Sequence, residues 1–198
     1  AGEMAELAAQ HLVGQGAVSV TVANRTFSRA VDLAQKFNGK AASFDELHNE
    51  LQKKNTFIDD ILIDVLEEKI ENETPTLICF SVPFPGNLYS AFRCAKYIQS
   101  NYPDIKVAMG GGFPNTELRS VSDVRVFEFF DFITLDDGEL PIELLASNVL
   151  DPTDSNSNIG FFKRTFLIEN GEVVYNNFSI RQDYKQLDVG TPDYSDLL

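Results

Sequence analysis

TLICFSVPFPGN at 76–87 decides the fold. Pro75 closes the helical pattern before it, and TLICFSV at 76–82 is a continuous apolar run, as in a strand that a parallel sheet buries on both faces. Pro83, Pro85 and Gly86-Asn87 then turn the chain into a helix over 87–101. The unit repeats downstream. Strand IKVAM at 105–109 precedes the triple glycine 110–112 and a short helix near 116–121; strand DFITL at 131–135 precedes a helix over 139–148. Upstream, Met4, Leu7, Ala8, His11 and Leu12 recur at helical spacing, AVSVTVA at 17–23 is a short strand, and Thr26 caps a helix through Phe37. A weak strand at 40–43 leads into one or two helices between Phe44 and Glu73. Strands alternating with helices predict an α/β fold, a doubly wound parallel sheet of 17–23, 76–82, 105–109 and 131–135. RTFLIENGEVVYNN at 164–177 alternates about Asn170-Gly171 and predicts an appended β-hairpin.

The chain has 198 residues and a formal net charge of −14. That balance excludes the phosphate-neutralising surface of a nucleic-acid binder and attraction to an anionic membrane. No run approaches the roughly 20 apolar residues of a membrane span, and the opening AGEMAEL lacks a signal peptide's layout. A soluble, cytoplasmic protein is expected. Cys79 and Cys94 lie in a strand and a helix that both look buried, so neither a disulfide framework nor a metal or iron–sulfur cage is expected of them. The charge falls unevenly, −1 over 1–47 and −13 over 48–198. With the turn-rich DPTDSNSN at 151–158, this suggests an opening segment 1–47, a sheet domain 48–150, and a closing segment 151–198 of loop, hairpin and cut-off linker.

In an open α/β sheet, ligands bind beyond the carboxyl ends of the strands. Ser81, Val82 and Pro83 follow one strand, Gly110, Gly111 and Gly112 the next, and Asp137, Gly138 and Glu139 the third. Three glycines in succession let a bulky ligand approach the backbone closely, although ordinary turn chemistry accounts for each loop taken alone. Asp59, Asp60, Asp64, Glu67, Glu68 and Glu71 fit the solvated face of an amphipathic helix better than a metal site. His48, between Glu46 and Glu50, has no nucleophile beside it, and Phe127, Phe129, Phe130 and Phe132 fit a core.

Two resemblances follow. LICFSVPFPGNLYSAFRCAKYI, VAMGGGFPNTELRS, FDFITLDDGE, RTFLIENGEVVY and the closing GTPDYSDL make residues 57–198 resemble the N-terminal cobalamin-binding domain of radical S-adenosylmethionine enzymes. The resemblance implies a Rossmann-like, flavodoxin-like sheet with a corrinoid over its strand ends. Ser81 to Pro83, Gly110 to Gly112 and Asp137 to Glu139 would be its binding residues. No Asp-x-His-x-x-Gly loop is present, so no histidine would ligate cobalt. The three-cysteine motif for the iron–sulfur cluster would come after GTPDYS, so neither cluster nor radical chemistry is implied for this stretch.

AGEMAELAAQHLVGQGAVSVTVANRTFSRAVDLAQKFNGKAASFDEL at 1–47 is similar instead to the NADPH-binding domain of glutamyl-tRNA reductase, entered inside its glycine-rich fingerprint. The resemblance implies cofactor contacts from Gly2, Asn24, Arg25 and Thr26, with Arg25 set to meet the 2′-phosphate. The two resemblances meet between 44 and 57, as in a chimera. Function is thus expected as corrinoid binding without a catalytic barrel, alternatively as NADPH binding, or as a chimera with no ligand. No catalytic residue is assigned. A small-molecule cofactor is the expected partner, with neither nucleic acid nor membrane.

Overall fold

In this computed structural model the residues described are 3–16, 21–23, 27–37, 40–150, 162–185 and 187–191. Helix α1 (Glu3–Gly14), strand β1 (Thr21–Ala23), helix α2 (Phe27–Lys36) and strand β2 (Lys40–Ala42) open the chain. Helices α3 (Phe44–Leu51) and α4 (Phe57–Glu73) follow, then β3 (Leu77–Ser81), α5 (Leu88–Asn101), β4 (Lys106–Gly110), α6 (Gly112–Glu117), β5 (Phe132–Thr134), α7 (Glu139–Leu150), β6 (Thr165–Glu169) and β7 (Glu172–Asn176). Short 3-10 turns lie at Pro85–Asn87 and Val124–Glu128.

The apolar runs do form a Rossmann-like α/β sheet. β3, β4 and β5 are parallel, registered by Cys79 with Ala108 and by Ala108 with Phe132. Successive residues of a strand point to opposite faces. Ile78, Phe80, Val107, Met109 and Ile133 share one core with Phe92, Ala95 and Ile98 of α5. Leu77, Ala108 and Phe132 share another with Leu145 of α7 and Phe162. Phe129 and Phe130 are buried, their rings meeting Phe92 edge-on at 5.1 and 4.9 Å, as the core reading of the phenylalanines anticipates.

The hairpin turns on Asn170 and Gly171, both at positive φ (51° and 81°), as a tight primed turn requires. It is appended to the sheet itself. β6 runs antiparallel to β5 through Ile133–Phe166 and Thr134–Thr165, giving the mixed order β3-β4-β5-β6-β7. The helical region 44–73 divides in two because the sequence carries two capping boxes. Ser43 and Glu46 start α3, Thr56 and Asp59 start α4, and each side chain bonds the other's backbone N–H. α4 ends on Thr74, held left-handed at φ 43° before Pro75.

Three details differ from expectation. The strand at 17–23, of which 21–23 are described, does not join 76–82. β1 pairs in parallel with β2 in a separate two-stranded sheet, Thr21 against Lys40 and Ala23 against Ala42. This suits a doubly wound half, whose second and third strands are neighbours joined by one crossover helix. β3 is consequently an edge, so its run is only half covered and Cys79 is exposed rather than buried. The helix expected near 116–121 starts earlier, at Gly112, because the chain turns directly from β4 into α6.

Candidate functional site

The parallel strands end together at Ser81, Gly110 and Thr134, and the three candidate loops stand beyond them. Val82 N–H donates to the Gly110 carbonyl at 2.8 Å, and Phe113 N–H to the Val82 carbonyl at 2.9 Å. These bonds lay the first two loops against each other. Gly111 sits at φ +102°, and a Cβ there would lie 2.8 Å from Val82 N and 3.1 Å from Ser81 Oγ. One on Gly112 would lie 2.9 Å from the Pro83 carbonyl, and one on Gly110 2.8 Å from Thr134 Oγ1. The space opened by the glycines is thus taken by the protein's own loops. Ser81 and Pro83 are exposed, and Val82 is buried.

The third loop joins through Asn115, whose Oδ1 accepts from Asp136 N–H at 2.6 Å, and through an Arg119–Asp136 ion pair. Arg164 fixes the loop from the other side. Its guanidinium donates to the carbonyls of Leu135 (3.2 Å) and Asp137 (2.8 Å) and pairs with Asp183 at 2.7 Å. That pairing holds the Asp183 carboxyl below its ordinary range. Asp137 and Glu139 project into solvent, with Gly138 half-buried between them. The loops are therefore brought together as a rim built from backbone. Among the described residues, no His, thiol or second carboxylate is paired there in a form that could move a proton, and none form a group of three metal-ligating side chains.

The expected cofactor residues Gly2, Asn24, Arg25 and Thr26 lie outside the described residues. Around them, α1, β1, α2 and β2 supply the helix–strand–helix–strand order of a dinucleotide half. The two thiols are elsewhere, in β3 and α5. Partial desolvation raises Cys79 although its side chain reaches the surface, and burial with help from the nearby Asp59 charge raises Cys94 to about 11, so neither is a thiolate at neutral pH.

One polar cluster went unsuspected. Asp59 is not on the solvated face with its neighbours; it is 2% exposed and accepts from Thr56 N–H (2.8 Å), Thr56 Oγ1 (3.0 Å) and Tyr89 Oη (3.1 Å). Arg93, 3% exposed, lies 3.7 Å from it and donates to the carbonyls of Leu51 and Glu50. Every partner is satisfied, so the cluster fastens α3, α4 and α5 together. Only the T-x-x-D cap spacing signalled it. His48 is likewise structural, 3.4 Å from Glu128 and edge-on to Phe129.

Comparison with known proteins bears on the opening elements. Residues 1–62 match the family described as shikimate/quinate 5-dehydrogenase. A glutamyl-tRNA reductase of Desulfotalea psychrophila (strain LSv54 / DSM 12343) is 60% identical over 58 residues, 29% of this chain and 14% of that one. The glutamyl-tRNA reductases of Geobacter metallireducens (strain ATCC 53774 / DSM 7210 / GS-15) and Syntrophobacter fumaroxidans (strain DSM 10017 / MPOB) are 55% identical over 53 residues and 57% over 58. These cover 27% and 29% of this chain and 12% of each relative. The chain thus spans about an eighth of the length of the curated relatives it matches. The similarity expected for the opening segment is borne out, and the family match runs further than 47, through α3 into α4. The corrinoid and radical-enzyme expectation finds no support in these comparisons. Among the described residues, no helix is long and apolar enough to cross a membrane.

Proposed function

We infer that the opening segment is a nicotinamide-dinucleotide-binding unit that prefers the 2′-phosphorylated cofactor, NADPH. The observation that carries the reading is the identity of 55–60% over 53–58 residues to proteins named as reductases. The paired parallel strands β1 and β2 about a single helix support it, since this is the half-unit on which such cofactors lie. Asn24, Arg25 and Thr26 follow the carboxyl end of β1 in the chain, and the role assigned to Arg25 is to meet the 2′-phosphate. The reading assigns binding only. Both thiols lie outside the segment and are protonated at neutral pH, and among the described residues the strand-end rim holds no acid–base pair.

The test is titration of the chain with NADPH, followed by nicotinamide fluorescence, against Arg25→Ala. A charge-assisted bond to phosphate contributes about 1.5–3 kcal/mol, so the variant binds NADPH roughly 10- to 150-fold more weakly and NADH unchanged. Equal NADPH affinity in both proteins contradicts the role of Arg25. Absence of NADPH binding contradicts the reading itself.

A further inference from the structure

We propose that Arg164 is the centre of an anion site at the carboxyl end of β5, suited to the phosphate group of a small ligand and occupied by the protein's own Asp183. The Arg164 side chain is 11% exposed, and the Asp183 side chain lying over it is 40% exposed. Nη1 and Nη2 donate to the two carboxylate oxygens at 2.9 and 2.7 Å, the paired geometry by which arginine takes a carboxylate or a phosphate. Asp183 thus stands in for a ligand's charged group. The bonds from Nε and Nη2 to the Leu135 and Asp137 carbonyls aim the guanidinium in advance and set it just ahead of α7, whose N-terminal end favours negative charge.

Backbone strain and charge both gather at this point. Leu135 N–H donates to the Arg164 carbonyl at 2.9 Å, and Arg164 and Asp136 are held left-handed, at φ 47° and 60°. They are two of the four non-glycine residues so held among the described residues, and such strain collects at binding sites. In a chain with 16 Lys and Arg against 30 Asp and Glu, Lys163, Arg164 and Arg181 meet around residues 181–183. Lys163 Nζ donates to the Arg181 carbonyl at 3.0 Å, and its charge acts on the Asp183 carboxyl. Glu143 neutralises Arg181 through bonds of 2.7 and 3.0 Å, while Asp137 and Glu139 face solvent. Lys163 and Arg164 are therefore the cations that an incoming anion meets.

Asp183 lies on a strap that can leave. Ser179 N–H donates to the Phe162 carbonyl at 3.1 Å, but from 180 to 185 no backbone-to-backbone bond joins the segment to the sheet among the described residues. Phe178 and Ile180 are 65% and 96% exposed, so apolar burial does not hold it. Its ties are the Asp183–Arg164 pair, the Lys163 bond, and the Arg181–Glu143 pair, to which Tyr184 Oη adds a bond to Glu143. A carboxylate tethered in this way competes at an effective concentration of about a millimolar. A free monocarboxylate gains nothing by displacing it. A phosphate dianion does, because it carries a further charge and an oxygen for Lys163.

Calorimetric titration of the full chain with inorganic phosphate at low salt, with acetate for comparison, tests the proposal. Asp183→Ala removes the stand-in, and Glu143→Gln weakens the strap's other tie without touching Arg164. Each should bind phosphate roughly tenfold more tightly than the parent chain and prefer it to acetate, as expected when one competing charged bond is lost. Adding Arg164→Lys to Asp183→Ala keeps the charge without the paired donors and should reverse the gain. Amide hydrogen exchange locates the site: phosphate should slow exchange at 135–139 and quicken it at 178–185 in the parent chain. Phosphate affinity unchanged in both single variants, a gain that survives Arg164→Lys, acetate bound as tightly as phosphate, or protection confined to residues 1–62 overturns the proposal. NADPH titration of the Asp183→Ala protein reads the cofactor unit separately.

Discussion

Gly111 carries a backbone at φ +102°, with Val82 N 2.8 Å from where a side chain would begin. A substitution there meets both left-handed strain and an immovable neighbour, so Gly111→Ala should lose about 2–5 kcal/mol in urea unfolding. A loss below about 0.5 kcal/mol, the range of ordinary surface changes, contradicts the packing described. Asp59 gives a second prediction. Burial alone would raise its pKa, but the bonds from Thr56 and Tyr89 and the charge of Arg93 outweigh it and hold the carboxyl below its ordinary value. Its folded pKa is therefore below its unfolded one, and the stability it contributes is present above about pH 4 and lost as pH falls through the folded value. Asp59→Ala should cost about 3–5 kcal/mol at neutral pH, because Arg93 is left buried without its counter-charge. That deficit should shrink in denaturant titrations below about pH 4; a pH-independent deficit contradicts the assignment. At this scale the sequence showed where Ser81, Gly110–Gly112 and Asp137–Glu139 would fall, since strand ends follow from local pattern. It could not show that Val82 fills the space beside Gly111, or that Arg164 reaches Leu135 and Asp137, because those contacts cross from one loop to another.

Elements were legible where one local rule sufficed. Asn170-Gly171 gave the hairpin and Pro75 the end of α4, while the caps at Ser43 and Thr56 were in the sequence and went unused. The neighbours of a strand were not legible, because an apolar run such as LICFS looks the same at the centre and at the edge of a sheet. α3 joins the two ends of the molecule. Leu51 is fully buried in the core of the five-stranded sheet, yet the helix lies inside the stretch that matches the dehydrogenase family. The boundary expected between 47 and 48 thus falls within α3. Leu51→Ala should lose about 2–5 kcal/mol by denaturant titration, and a loss under about 0.5 kcal/mol would show that α3 does not belong to that core. Arg164→Ala strands the Leu135 and Asp137 carbonyls at the end of β5. It should cost about 1–3 kcal/mol and raise proteolysis at 135–139 in limited digests; unchanged cleavage would show that Arg164 does not hold this loop.

Over the whole molecule, the small sheet of β1 and β2 and the larger sheet of β3 to β7 have separate strand sets, and each offers strand ends where a ligand could lie. The proposed function places the cofactor on the first. The larger sheet's rim, closed by its own glycines and by Arg164, is assigned none. The measurement that separates these most directly is amide hydrogen exchange of the full chain, followed peptide by peptide with and without saturating NADPH. The account predicts slowed exchange confined to peptides within residues 1–62, with 81–87, 110–115 and 135–139 unchanged. Protection at those three loops with none in the opening segment would contradict it, moving the binding site to the larger sheet.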